Sequence, residues 1–127
     1  MTAFAALSLA NNATTAVSFN PVGIDSNGVA RWMTITEPSL DARNSASMSV
    51  SLPKNGSTVT RIKTRVVIPV MDAVDATKKI AEAYVDMVFV LPKQASETNR
   101  LDLRAFAKNF LAHAAITAAV SNYESQY

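Results

Sequence analysis

The chain predicts an α+β fold. An N-terminal β-hairpin leads into an antiparallel meander sheet, and one or two C-terminal α-helices follow. Three observations predict this. Ser45–Leu52 alternates strictly, with Ser45, Ser47, Ser49 and Ser51 on one side and Ala46, Met48, Val50 and Leu52 on the other; a period of two marks a half-buried strand. After Ser96 the spacing of apolar residues changes to three and four, which is helical. The strand-like runs come first and are joined by short links, so they pair antiparallel, and the helical segment is gathered at one end.

The elements follow in order. Phe4–Leu9 and Thr14–Phe19 flank a turn at Asn11-Asn12 and make a first hairpin. Asn20-Pro21 breaks the pattern, and Asp25-Ser26-Asn27-Gly28 is a strong turn signal. Val29–Thr36, with Trp32 inside it, is the next strand, and Glu37–Asn44 reads as a loop. Ser45–Leu52 and Thr58–Ile68 then flank Asn55-Gly56, a pair that tolerates the positive φ a tight hairpin needs. Pro69 ends the second arm, since proline cannot donate to a ladder. Val70–Lys79 reads as a loop, with a short helix over 73–83 as the alternative. Ile80–Leu91 is a long strand stopped by Pro92. Ser96 is placed to cap the helical segment, with Glu97 in its first turn. Leu103, Phe106 and Phe110 share one helical face, and the segment runs to about Ser121 as one helix or as two joined by a kink near His113–Ala115.

With 127 residues the chain is read as one domain, 1–127. It is 49% apolar and 17% charged, which excludes a disordered chain. Cysteine is absent, so disulfides and cysteine metal sites are excluded. No apolar run reaches the length of a membrane span. Met1–Ala10 resembles a signal peptide but lacks a basic segment, and it is not read as one. Asn12-Ala-Thr14 and Asn55-Gly-Ser57 match the glycosylation pattern but read as turn residues.

One helical segment is too little to cover so wide a sheet, so a second copy is expected to bury what remains, most simply in a symmetric dimer. Phe106 and Phe110 are the residues expected at that interface.

Catalytic constellations are poor. The single histidine, His113, sits in an alanine-rich helical segment and is read as structural, and the acids have no metal-ligand or acid–base spacing. No catalytic residue, metal site or cofactor is expected. The stripe Arg61–Lys63–Arg65 is more informative. A plain solvated strand face is the simpler account of it. Yet it lies across from the serine side of the first arm. If the strand carrying Tyr84 and Asp86 adds beside it, one face holds cations, hydroxyls, an aromatic ring and a carboxylate. Cations and donors bind phosphates, a ring stacks on a base, and a carboxylate accepts from a base amino group. That combination favours single-stranded nucleic acid over a plain polyanion.

Four short pieces then carry a resemblance. They are Phe19-Asn20-Pro21 with Asn27-Gly28-Val29-Ala30; Ser49-Val50-Ser51-Leu52-Pro53 with its spacing to Pro69; Ala83-Tyr84-Val85-Asp86 with Phe89; and Arg104-Ala105-Phe106 with a terminal Tyr127. In this order they resemble the coat proteins of the single-stranded RNA bacteriophages, most closely the Q-beta type. The resemblance implies an interlocked homodimer whose sheets join and whose helices cross over the partner. It implies an icosahedral shell, a packaged RNA genome, and an RNA operator hairpin whose binding represses translation. By position it implies an RNA face of Ser47, Ser49, Arg61, Lys63, Tyr84 and Asp86. Val59 departs from a position that is often polar in the family, and the loop Val70–Lys79 is shorter than in the Q-beta type and lacks its crosslinking cysteines. The location implied is the virion capsid, with assembly in the bacterial host cytoplasm and no membrane partner. A cellular single-stranded nucleic-acid-binding sheet protein is the alternative.

Overall fold

The computed structural model describes residues 4–37, 39–54, 56 and 58–125. The chain forms two compact units, Met1–Val90 and Leu91–Tyr127. The first holds a six-stranded antiparallel sheet in sequence order. Its strands are β1 (Leu7–Ala10), β2 (Ala16–Ile24), β3 (Ala30–Met33), β4 (Ser45–Ser51), β5 (Val59–Met71) and β6 (Lys79–Pro92). The second holds α1 (Glu97–Leu111) and α2 (Ala114–Asn122).

Side-chain oxygens build the turns. Asn11 Oδ1 accepts from the backbone N–H groups of Ala13 and Thr15 at 3.0 and 3.1 Å, and Thr14 takes a left-handed φ of 63°. Asp25 Oδ1 accepts from Asn27 and Val29 N–H at 2.9 and 3.0 Å, with Gly28 at φ 78°. Such self-bonding is why Asn, Asp and Gly mark turns. In the β4–β5 connection Gly56 has φ 77°; its neighbours Asn55 and Ser57, like Pro38, Tyr127 and the first three residues, lie outside the described residues. The segment between β3 and β4 is anchored by Thr34, which is fully buried. Its hydroxyl donates to Glu37 Oε2 at 2.6 Å and accepts from Asn44 N–H at 3.0 Å.

Two prolines behave differently from expectation. Pro21 lies inside β2, where the register shifts between Pro21 and Gly23. The missing donor is absorbed by a bulge, a position that tolerates proline. Pro69 does not end β5, which runs on to Met71. The β4 ladder engages only Arg61–Val67, so Pro69 lies beyond it and interrupts none of its bonds. Pro92 does end β6, and the helix drawn as an alternative over 73–83 is absent: the loop spans 72–78 and strand resumes at Lys79.

The pairing sorts the sheet into two faces. Opposite residues in an antiparallel ladder point to the same side. Leu7 pairs with Phe19, Trp32 with Ala46, and Ala46 with Val66, so these side chains share the apolar face. The buried cluster is Phe19, Trp32 and Ala46, with Leu7, Val17, Ala30 and Val66 packed against it. The Trp32 indole N–H donates to the Ala5 carbonyl at 2.8 Å, and the Phe4 ring meets it edge-on at 5.3 Å. Beside the cluster lies an apolar groove of about 410 Å³ lined by Leu9, Ile24, Met48 and their neighbours.

Ser96 caps α1, its hydroxyl accepting from Asn99 N–H at 3.1 Å. The break between helices falls at Ala112-His113. His113 caps α2, its Nδ1 accepting from Ala115 N–H at 3.1 Å. That is the structural role read for this histidine. Neither helix buries a residue; Phe106 and Phe110 are 71% and 62% exposed.

Trp32 is the largest side chain in the cluster and the one that ties the N-terminal segment to the sheet. Trp32→Ala is expected to cost about 3–5 kcal/mol, a large share of a small domain's stability. Trp32→Phe should cost less, keeping the packing but losing the bond to Ala5. Urea unfolding checks both.

Candidate nucleic-acid interface

The opposite face of the sheet follows from the same register. Ser47 faces Arg65, Ser49 faces Lys63, and Ser51 faces Arg61 across β4 and β5. On the other side of β4, Arg31 faces Ser47 and Met33 faces Ser45. The alternation of β4 thus turns its serines and the cations of β5 to one side, and the whole apolar cluster to the other.

β6 lies beside β5 in the strand order. Thr64 Oγ1 donates to the Met87 carbonyl at 3.4 Å. On the polar face Arg65 makes a two-pronged contact with Asp86: Nε to Oδ1 at 2.6 Å and an Nη to Oδ2 at 2.9 Å. The same guanidinium lies over the Tyr84 ring, 4.5 Å from its centroid. Tyr84 and Asp86 are therefore brought to the face that bears the cations, as the sequence alternation anticipated. A depression of about 430 Å³ opens here, lined by Val29, Arg31, Ser47, Lys63, Arg65 and Asp86, among others.

Sequence reasoning passed over two features. Arg31 joins the face from β3, and its signal was the inward Trp32 beside it, since neighbours in a strand point opposite ways. Arg31 also pairs with Asp25 at 3.3 Å. The second feature is the closure of Arg65 on Asp86, which depends on side-chain placement across strands distant in sequence. Arg61 and Lys63 form no ion pair among the described residues, so their charges are uncommitted.

The electrostatics follow the contacts. The hydrogen bonds from Arg65 hold the Asp86 carboxyl below the usual carboxylate range and in turn raise Arg65. Asp25 is lowered chiefly by the Val29 N–H it accepts, with Asn27 and Arg31 adding. In the β5–β6 loop, Asp72 Oδ1 accepts from Val74 N–H at 2.8 Å. Asp75 accepts from the hydroxyl and N–H of Thr77 at 2.6 and 3.0 Å, and the Thr77 bonds lower it. These two acids brace their own loop.

The family described as Levivirus coat protein matches residues 2–127. The chain belongs to that family. Solved structures share the fold. A virus-like particle of Beihai levi-like virus 21 is 21% identical, with 97% of each chain covered and a TM-score of 0.87. A virus-like particle of bacteriophage NT-214 is 23% identical, covering 97% of this chain and 98% of that one, with a TM-score of 0.85. An unassembled coat protein dimer, described as a bacteriophage RNA-binding dimer, is 19% identical over 98% of both chains, with a TM-score of 0.68. No curated protein sequence is matched. The levivirus coat family is one of structural capsid proteins and not of enzymes, and the serine and arginine face described above belongs to such a coat protein.

The Asp86–Arg65 pair is half-exposed, so its effect on the coat protein's stability is modest and screened by salt. Its pH dependence has a defined sign. The folded-state pKa of Asp86 is lowered, so its contribution is full above the usual carboxylate range and is lost as pH falls through the lowered value. Asp86→Asn should therefore lower the urea midpoint at neutral pH, with the difference from wild type shrinking in acid and in 1 M salt.

Proposed function

We propose that this coat protein pairs as a homodimer and self-assembles into an icosahedral shell. We further propose that its polar sheet face holds the packaged single-stranded RNA and an operator hairpin, giving translational repression. On this reading the 127 residues act as one coat-protein domain. The protein works in the virion capsid, after assembly in the cytoplasm of a bacterial host. The observation that carries the RNA reading is the β4–β5 register, with Ser47 and Ser49 set against Arg65 and Lys63, and Tyr84 and Asp86 beside them.

The roles divide by chemistry. Arg61 and Lys63 supply uncommitted positive charge for phosphates. Ser47 and Ser49 are short donors and acceptors that let a backbone approach. Tyr84 offers a ring for an unpaired base. Asp86 reads a base amino group, since a carboxylate facing phosphate only repels it.

Dimerisation is supported by what the protomer leaves uncovered. Among the described residues only three apolar side chains are buried. α1 presents Leu101, Leu103, Phe106 and Phe110 with 43% or more of their surface exposed. β6 is a 14-residue strand at the sheet's end in the strand order. Long open edges invite pairing with another chain. A second copy satisfies both, and the unassembled dimer with the same fold supports the choice.

Two outcomes test these readings. Phe110→Ala is expected to remove interface burial and yield unfolded or insoluble chain instead of dimers, at a cost of about 3–5 kcal/mol; analytical ultracentrifugation and electron microscopy read this out. A folded, monodisperse wild-type monomer at micromolar concentration would end the dimer proposal. Arg61→Ala and Lys63→Ala should weaken all RNA alike, each lowering the salt slope of single-strand binding by about 0.7. Tyr84→Ala should cost about 1–3 kcal/mol on hairpins with unpaired loop bases. Filter binding across several salt concentrations separates these effects, and unchanged affinity and slope in all three variants would place RNA elsewhere.

A further inference from the structure

Arg65 stands in the same strand as Arg61 and Lys63, two residues along, and on the same face. Spacing alone makes it a third phosphate ligand. Its contacts say otherwise. Nε and one Nη are directed at the two oxygens of Asp86, at 2.6 and 2.9 Å, in the fork geometry that suits a carboxylate. The plane of the guanidinium is laid over Tyr84 at 4.5 Å. Two N–H donors and one flat side of this arginine are thus engaged within the protein, whereas Arg61 and Lys63 have no ion-pair partner among the described residues.

The arrangement acts on both neighbours. Asp86 is a negative charge on a surface that is to meet a polyanion, and Arg65 cancels it at contact distance. Tyr84 has a ring with two usable sides, and Arg65 occupies one, which fixes the ring and leaves the other side for a stacking partner. Ser47, directly opposite Arg65 in the ladder, adds no charge to compete for the fork.

We propose that Arg65 is a positioning residue for base recognition rather than a phosphate ligand. It holds the Tyr84 ring and the Asp86 carboxylate as one preset unit and neutralises Asp86 toward the RNA backbone. This rests on the RNA reading above. Two consequences follow. Removing Arg65 exposes an uncompensated carboxylate and loosens the ring, so hairpin binding suffers while generic phosphate contacts are intact. Removing the charge of Asp86 releases Arg65, which then becomes an extra phosphate ligand and blurs the distinction between RNAs.

The test uses full-length coat protein held as dimers below its assembly concentration. The proteins are wild type, Arg65→Gln, Arg65→Lys, Asp86→Asn, the Arg65→Gln/Asp86→Asn double variant, and Arg61→Ala/Lys63→Ala. The probes are a stem-loop with unpaired loop adenines and an unstructured uridine homopolymer, titrated by filter binding over a range of salt. Circular dichroism confirms folding of each variant. Residues in one network couple by amounts that correspond to about tenfold in affinity. Arg65→Gln should weaken the stem-loop by about that factor with an unchanged salt slope, and Asp86→Asn in the same chain should recover most of it. Arg65→Lys keeps the charge but not the fork and should resemble Arg65→Gln. Asp86→Asn alone should steepen the homopolymer slope by about 0.7, one added phosphate contact. The proposal is overturned if Arg65→Gln flattens the slope for both probes without rescue by Asp86→Asn, since that is the behaviour of a phosphate ligand. It is equally overturned if Arg65→Gln changes nothing. An unchanged slope in Arg61→Ala/Lys63→Ala would instead remove the RNA reading itself, whatever Arg65 does.

Discussion

Everything on this sheet depends on the register between β4 and β5. Seven pairs, Ser45–Ser51 against Val67–Arg61, decide which way each side chain points. A slip of one residue would turn Arg61, Lys63 and Arg65 toward the side of Trp32 and send Ile62 and Val66 to water. Burying those charges unpaired is far costlier than any strand can bear. Ala46 lies between Trp32 on one neighbouring strand and Val66 on the other, so this register sets the apolar side of β4 against the buried cluster. The position of the cations follows from the same pairing.

The polar face is not simply basic. The net charge is only +2, and three of the acids stand on or beside this face, Glu82 among them, paired with Lys79. The other two are each matched to an arginine: Asp25 to Arg31 and Asp86 to Arg65. Through Arg31 opposite Ser47 and Ser47 opposite Arg65, the two pairs terminate one row across the sheet. Charge that is committed in this way contributes shape and direction, while Arg61 and Lys63 contribute attraction. On the proposed reading, in which the coat protein holds a long RNA and one hairpin, both kinds of charge would be of use.

Much of this was legible in the sequence because it rests on local rules. A period of two assigns faces without any knowledge of partners, so the serine side of β4 and the cation side of β5 were readable, as was the change to a helical period after Ser96. The sequence leaves open whether the helical segment is continuous or kinked, since alanine favours helix throughout; the break at Ala112-His113 comes with the His113 side chain capping α2. The prolines were misread for a physical reason. The rule that proline ends a strand concerns a missing donor, and here strand continues through proline at the bulge beside Pro21 and, beyond the β4 ladder, at Pro69. The fork of Arg65 on Asp86 was unreadable because it joins residues 21 apart through rotamers that alternation does not specify.

β6 carries two duties at once. Its side chains deliver Tyr84 and Asp86 to the polar face, while its outer backbone edge is the last in the strand order. In the proposed dimer, a partner strand along that edge would continue the polar face from one protomer into the next. Tyr84 and Asp86 would then lie near the junction instead of at a rim open to water. A strand alternates its faces whether or not its edge is paired, so each protomer could form the face alone. What pairing adds is restraint: an edge strand held on one side only frays and twists, and Tyr84 would drift with it. On the proposed function, dimerisation and RNA recognition would be linked through the backbone of one strand, because the pairing that closes the edge would also steady the face.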